Sequence, residues 1–179
     1  MTSEPNPRTH TFTVKAIGHV RTAYRSADTT PIQSQRDVDG TGGVVLDAPF
    51  RSGLAGLGEF DYVHLVTHLH RPTPPRPDPG SWQVVPFLLA GSGRRLGVFA
   101  TRHPSRPNPV GLSLVRVTSV GPDGFEFVGV DLLDGTPVID IKPWVAAFDT
   151  PQQPPGSVRQ GWYTPDVLGR RGTSPGELT

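Results

Sequence analysis

The chain has 179 residues, a net charge of +1 and 35% hydrophobic residues, which suits one domain with a buried core. It contains no cysteine, which excludes disulfides and thiolate metal sites, and no apolar run approaches the ~20 residues of a membrane-spanning helix. The opening MTSEPNPRTH has no apolar leader, so a soluble, cytoplasmic protein is expected.

The 21 Gly and 21 Pro work against long helices and favour short strands joined by turns. Residues 1–10 read as a disordered tail. Thr11–Val20 alternates, with Phe12, Val14 and Ala16 on one side and Thr11, Thr13 and Lys15 on the other, which predicts a first strand. The polar stretch Arg21–Gly42 is a loop of a length that is often functional. A short strand follows at Gly43–Asp47, then a helical turn at Gly53–Phe60 weakened by its glycines, then a buried strand at Tyr62–His70. After the Pro-rich loop Arg71–Gly80, strands are expected at Trp82–Val85, Leu96–Ala100, Leu112–Val120, Phe125–Leu133 and Pro137–Ile141. Pro122-Asp123-Gly124 marks a hairpin between two of them. The expected fold class is all-β: a single-sheeted β-barrel of short strands with long Pro/Gly-rich loops. It would span residues 11–149, and the Pro/Gly-rich tail 150–179, with Trp162 and Tyr163 its aromatics, would be disordered or draped over the barrel or a partner subunit.

Chemistry concentrates in Thr101–Ser113, TRHPSRPNPVGLS. Pro104, Pro107 and Pro109 bar helix and central strand, so Arg102, His103, Arg106 and Asn108 sit on a stiff loop between strands, as a binding site requires. No acidic residue lies between Pro79 and Pro122, while Arg94, Arg95, Arg102, Arg106 and Arg116 do. Such a patch either receives an anionic partner or pairs across the fold with Asp131, Asp134, Asp140 and Asp149. The second informative stretch is Asp131–Trp144, DLLDGTPVIDIKPW. Its Asp134-Gly135-Thr136-Pro137 reads as a turn, whereas Asp140 and Lys142 share a strand face, as a plain ion pair or as part of a site. His68 and His70 lack a third ligand, so no metal is expected, and His64 reads as a packed strand residue. Nucleotide-loop and serine-hydrolase motifs are absent from the sequence.

The runs VFATRHPSRPNPVGLSLVRV and DLLDGTPVIDIKPW resemble the TsaA-like domain of TrmO-type tRNA methyltransferases. AIGHVRTAY and GLAGLGEFDYVHLVTHLHR are similar to further landmarks of that family, in the same order, over Phe12–Phe148. The resemblance implies a β-barrel, S-adenosyl-L-methionine as methyl donor, and a homodimer with the cofactor pocket near the subunit interface. It implies N6-methylation of N6-threonylcarbamoyladenosine at tRNA position 37. Carried over by motif, the cofactor would be bound by Pro31, Ile32, Gln33, His70, Arg71, Arg102, Leu112, Asp131, Leu133, Asp134, Gly135 and Thr136, with Ser113 nearby. Asp140, Lys142, Arg106 and Asn108 would form the catalytic group, and the base would be Asp134, Asp140 or His70. Phosphate contacts would come from Arg94, Arg95 or Arg116. A Pro-Arg-Gln loop of the family reads Pro31-Ile32-Gln33 here, with Arg36 close enough to replace the missing arginine. The separate C-terminal domain of longer members is lacking. An enzyme acting on a small molecule, or a non-catalytic cofactor- or RNA-binding module, are the alternatives.

Overall fold

The computed structural model describes residues 11–71, 81–154, 156–170 and 172–178. The expected tail at 1–10 and most of the Arg71–Gly80 loop lie outside them.

Six strands close into one antiparallel barrel: β1 (Gly18–Thr22), β2 (Thr41–Leu46), β3 (Tyr62–His68), β6 (Val110–Val120), β7 (Gly124–Val128) and β8 (Pro137–Pro143). Around the barrel the order is β1, β2, β7, β6, β3, β8, and β8 returns to β1 through Gly18↔Val138. β4 (Gln83–Val84) and β5 (Leu96–Gly97) form a separate two-stranded sheet. The all-β barrel expectation is met. Alternation explains its interior: Val63, Leu65 and Thr67 of β3 are buried while their neighbours face outward. Val20, Val44, Leu46, Val115, Phe125, Phe127 and Val138 complete the core from the other strands. Each such side chain contributes on the order of 1.5–3 kcal/mol by leaving water.

Several boundaries differ from the sequence expectation. Thr11–Ala16 is exposed and pairs with no strand, despite its alternation, because the barrel closes through β1 and β8 and leaves it no neighbour. Gly53–Phe60 holds parts of two short 3-10 segments, Ala48–Leu54 and Leu57–Glu59, rather than one turn. Leu96–Ala100 is a strand only at Leu96–Gly97, and Val98–Ala100 coils into a 3-10 turn. The strand expected over Phe125–Leu133 ends at Val128, because Gly129 takes φ 83° and turns the chain, its N–H donating to the Gly40 carbonyl. Residues 129–136 therefore cross one end of the barrel as a loop, which carries Asp131 and Leu133 to the site. The hairpin at Pro122–Gly124 forms as expected, with Gly121 N–H donating to Gly124 at 2.9 Å.

Beyond the barrel lie two single-turn helices, α1 (Ala146–Asp149) and α2 (Pro165–Leu168). α2 packs beside the 3-10 turn Phe87–Leu89. The described part of the tail is thus draped over the rest of the chain. No helix among the described residues is long and apolar enough to cross a membrane.

Candidate functional site

The TRHPSRPNP loop is held by its own side chains. Thr101 Oγ1 donates to the Val98 carbonyl and accepts from His103 N–H, and Ser105 N–H donates to His103 Nδ1 at 3.2 Å. Phe87 stacks on the His103 ring with centroids 4.8 Å apart. Burial, with the Arg106 charge beside it, pushes the His103 imidazole down to about 4. It is neutral at pH 7, and Nδ1 acts as acceptor. Arg106 Nη1 donates to the carbonyls of Val98, Thr101 and His103 at 3.1, 2.9 and 3.4 Å. It therefore pins the loop, with its guanidinium 6.0 Å from the Phe99 ring centroid.

This loop forms one bank of a cleft of about 380 Å³ at the end of the barrel. The Thr30–Gln33 segment forms the facing bank, the end of β3 with Leu69 and His70 a third, and the Asp131–Leu133 loop the floor. Asp131 ties these parts together. Its Oδ1 accepts from Ser113 Oγ of β6 at 2.6 Å, and its Oδ2 accepts from Ser34 N–H of the opposite bank at 3.0 Å. Burial raises the carboxyl to about 6, against the opposing pull of those bonds and of Arg102. Arg102 is exposed and donates to Gln33 Oε1 at 2.6 Å across the cleft, leaving further guanidinium donors. His70 Nδ1 is buried and has no hydrogen-bond partner in the structure, and burial, then the neighbouring Arg71 and His68, lower its basicity.

Of the residues expected at a site, Pro31, Ile32, Gln33, His70, Arg71, Arg102, Arg106, Leu112, Ser113, Asp131, Leu133 and Thr136 line this cleft together. Five others do not. Asn108 is exposed at the loop end, where its carbonyl accepts from Val110 N–H. Asp134 and Gly135 form the turn read as an alternative for them. Asp134 accepts from Thr22 N–H at 3.1 Å and pairs with Arg25, and Gly135 takes φ 74°. Asp140 and Lys142 pair with each other at 2.8 Å on the largely exposed outer side of β8. There Asp140 borders a separate hollow lined by Ile17, Leu46, Phe50 and Ile141.

Two further expectations change. Arg36 does not stand in for the arginine missing at position 32, since its guanidinium donates to the carbonyls of Leu168, Arg170 and Gly172. The basic stretch forms no close ion pair with the aspartates, the nearest interaction being the pull of Arg102 on Asp131. Among the described residues, Arg94, Arg95, Arg102, Arg106 and Arg116 make no carboxylate ion pair. Sequence reasoning missed Phe87, Leu88, Trp162, Tyr163 and Pro175 as lining residues. They come from segments distant in the chain, and only the unexplained tail aromatics signalled any of them.

The comparisons place the chain in a family. The family described as tRNA-methyltransferase O N-terminal domain matches residues 19–150. A Pyrococcus abyssi protein named "Probable S-adenosyl-L-methionine-binding protein" is 35% identical over 155 residues, 86% of this chain and 77% of its own. The Escherichia coli protein named tRNA (adenine(37)-N6)-methyltransferase is 34% identical over 142 residues, 75% of this chain and 58% of its own. The crystal structure of TrmO from Pseudomonas aeruginosa superposes with a TM-score of 0.67 at 31% identity, covering 87% of this chain and 64% of that one. The chain thus spans 58% and 64% of those two longer proteins. With the family match covering the barrel and both motif stretches, the chain belongs to the tRNA-methyltransferase O N-terminal domain family.

Proposed function

We propose that the protein is an S-adenosylmethionine-dependent methyltransferase that N6-methylates N6-threonylcarbamoyladenosine at tRNA position 37. The observation that carries this reading is the convergence, in one cleft, of both family motif stretches around Arg102, Asp131 and His70. The cleft suits the donor. Arg102 has donors for an amino-acid carboxylate, and Asp131 keeps lone pairs for a hydroxyl or ammonium. When bound, the donor supplies an electrophilic methyl group on a sulfonium.

Displacement at that methyl is in line, so positioning supplies much of the acceleration, and the rigid loop holds the geometry. The acceptor nitrogen belongs to a weakly basic ureido group and must lose a proton. Of the three candidate bases, Asp134 is engaged by Arg25 and Thr22, and Asp140 borders the other hollow. His70 lines the cleft and is neutral at pH 7, so its Nδ1 takes the proton. Arg94, Arg95 and Arg116, exposed and without a carboxylate partner among the described residues, attract the RNA backbone. Asp140, Lys142 and Asn108 act, in this reading, from outside the cleft on the bound RNA.

The protein works as a cytoplasmic homodimer, where its RNA is found. Phe99, Val110 and Leu112 are 77%, 46% and 60% exposed beside the cleft, an apolar face suited to a second copy. Residues 11–149 are the catalytic domain, whose barrel begins at β1, and residues from 150 onward are a C-terminal tail.

The test is methyl transfer from labelled S-adenosylmethionine to tRNA carrying the threonylcarbamoyl group, with nucleosides resolved by mass spectrometry. Label in the modified adenosine supports the reading. Binding of the donor without transfer to any tRNA favours a small acceptor or a non-catalytic module. Light scattering on wild type and Leu112→Glu tests the dimer, which the variant should split into monomers.

A further inference from the structure

The family match ends at residue 150, yet the described segment beyond it is built into the cleft. Trp162 Nε1 donates to the Ala100 carbonyl at 2.7 Å, one residue before the TRHPSRPNP loop begins. Arg170 Nη1 donates to Leu88 at 2.6 Å, Ile32 N–H to Thr173 at 2.8 Å, and Gly176 N–H to Asp28 at 3.0 Å. Ser174 and Leu178 are buried. The tail therefore bridges both banks and is anchored at each. What it delivers to the cleft is an aromatic pair: Trp162 and Tyr163 line it, stacked with ring centroids 4.0 Å apart and planes 26° from parallel. The indole N–H bond fixes the pair in orientation. Arg102, whose guanidinium reaches across the cleft, lies two residues after the carbonyl that fixes it.

We propose that the Trp162–Tyr163 pair is the base-stacking wall of the cleft, holding a purine ring by its π face. A rigid aromatic pair at the edge of a polar cleft binds a flat, weakly polar heterocycle through stacking, and selects by ring rather than by hydrogen-bond pattern. The inference rests on the methyltransferase reading, which brings two purines to this cleft: the adenine of the donor and the adenosine of the RNA. The tail is then part of the binding site, supplied by sequence beyond the matched family domain.

The test uses the full chain with Trp162→Ala, Trp162→Phe and Tyr163→Leu. Folding is checked by circular dichroism, binding is measured by calorimetry with S-adenosylmethionine and with adenosine, and kinetics use tRNA. Base–aromatic stacking predicts about ten- to hundredfold weaker purine binding for Trp162→Ala and Tyr163→Leu. Trp162→Phe loses the anchoring hydrogen bond but keeps a ring, and should retain most of the affinity. If the donor's adenine is the partner, the Kd for S-adenosylmethionine rises and the KM for tRNA does not. If the RNA base is the partner, the reverse holds. Folded variants that bind adenosine and S-adenosylmethionine and use tRNA as the wild type does overturn the proposal while leaving the methyltransferase reading intact. Wild type without methyl transfer, but with adenosine binding lost in both aromatic variants, overturns that reading and supports the stacking wall. Wild type that binds neither purine overturns both.

Discussion

Asp131→Asn tests whether the cleft is organised around a buried charge. Burial raises the Asp131 carboxyl from an ordinary 3.8 to about 6, so the folded state holds that proton more tightly than the unfolded chain does. The stability this group contributes is then greatest below about pH 4 and falls as pH rises towards about 6, because there the folded protein alone is still protonated. The interval is worth about 3 kcal/mol, at ~1.4 kcal/mol per pH unit. Asparagine keeps the connections. Its amide oxygen can accept from Ser34 N–H while its NH₂ donates to Ser113 Oγ, and it carries no charge to desolvate. The stability of Asp131→Asn relative to wild type should therefore increase by about 2 kcal/mol between roughly pH 4.5 and 7, and stay constant above. Urea unfolding of both proteins across that range measures it, and the difference removes the pH dependence of every other group. A difference that does not change with pH refutes the buried-charge argument. Donor affinity of the wild type should rise through about pH 6 as the carboxylate forms, an inflection absent in Asp131→Asn.

The two loop arginines should separate in their effects. Arg102→Ala should weaken S-adenosylmethionine binding by about 1.5–3 kcal/mol in calorimetry while leaving the melting temperature close to wild type, since the side chain is exposed. Arg106→Ala, which frees three loop carbonyls, should lower stability by a similar amount and loosen amide exchange across Thr101–Asn108. His103, with its imidazole pushed down to about 4, contributes stability present above its ordinary 6.5 and lost as pH falls towards 4. Replacing it with Gln should flatten that acid limb in thermal melts. Gly42→Ala would put a Cβ 2.7 Å from Phe127 Cζ and 3.2 Å from Thr22 Cγ2 inside the barrel, and should cost about 1–3 kcal/mol in urea unfolding. An unchanged midpoint would show that Phe127 has room to move.

The sequence by itself determined the class of fold, the hairpin at Pro122–Gly124 and the irregular, stiff course of the TRHPSRPNP loop, because these depend on local physics. Alternation sets which side chains of β3 face inward, proline forbids regular structure through residues 104–109, and glycine permits the turns. Local pattern misled where pairing decides. Thr11–Ala16 alternates as well as any strand in the chain, yet a closed barrel offers it no edge. The same limit separates Asp134, Asp140 and Asp131, which look alike in one short run. The turn at Gly129 and the register of β8 send the first to a turn, the second to the outer face, and the third beneath the cleft, bonded to Ser34 and Ser113. The tail shows it most clearly. Local capping by Thr164 and Glu177 shapes its short turns, but its path over the barrel is set by distant partners: the carbonyl of Ala100, 62 residues earlier, holds Trp162, and Arg36 holds the carbonyls of Leu168, Arg170 and Gly172. Contacts across such distances in the chain exist only once the barrel has brought their partners to one end, and that is where the tertiary structure alone decides.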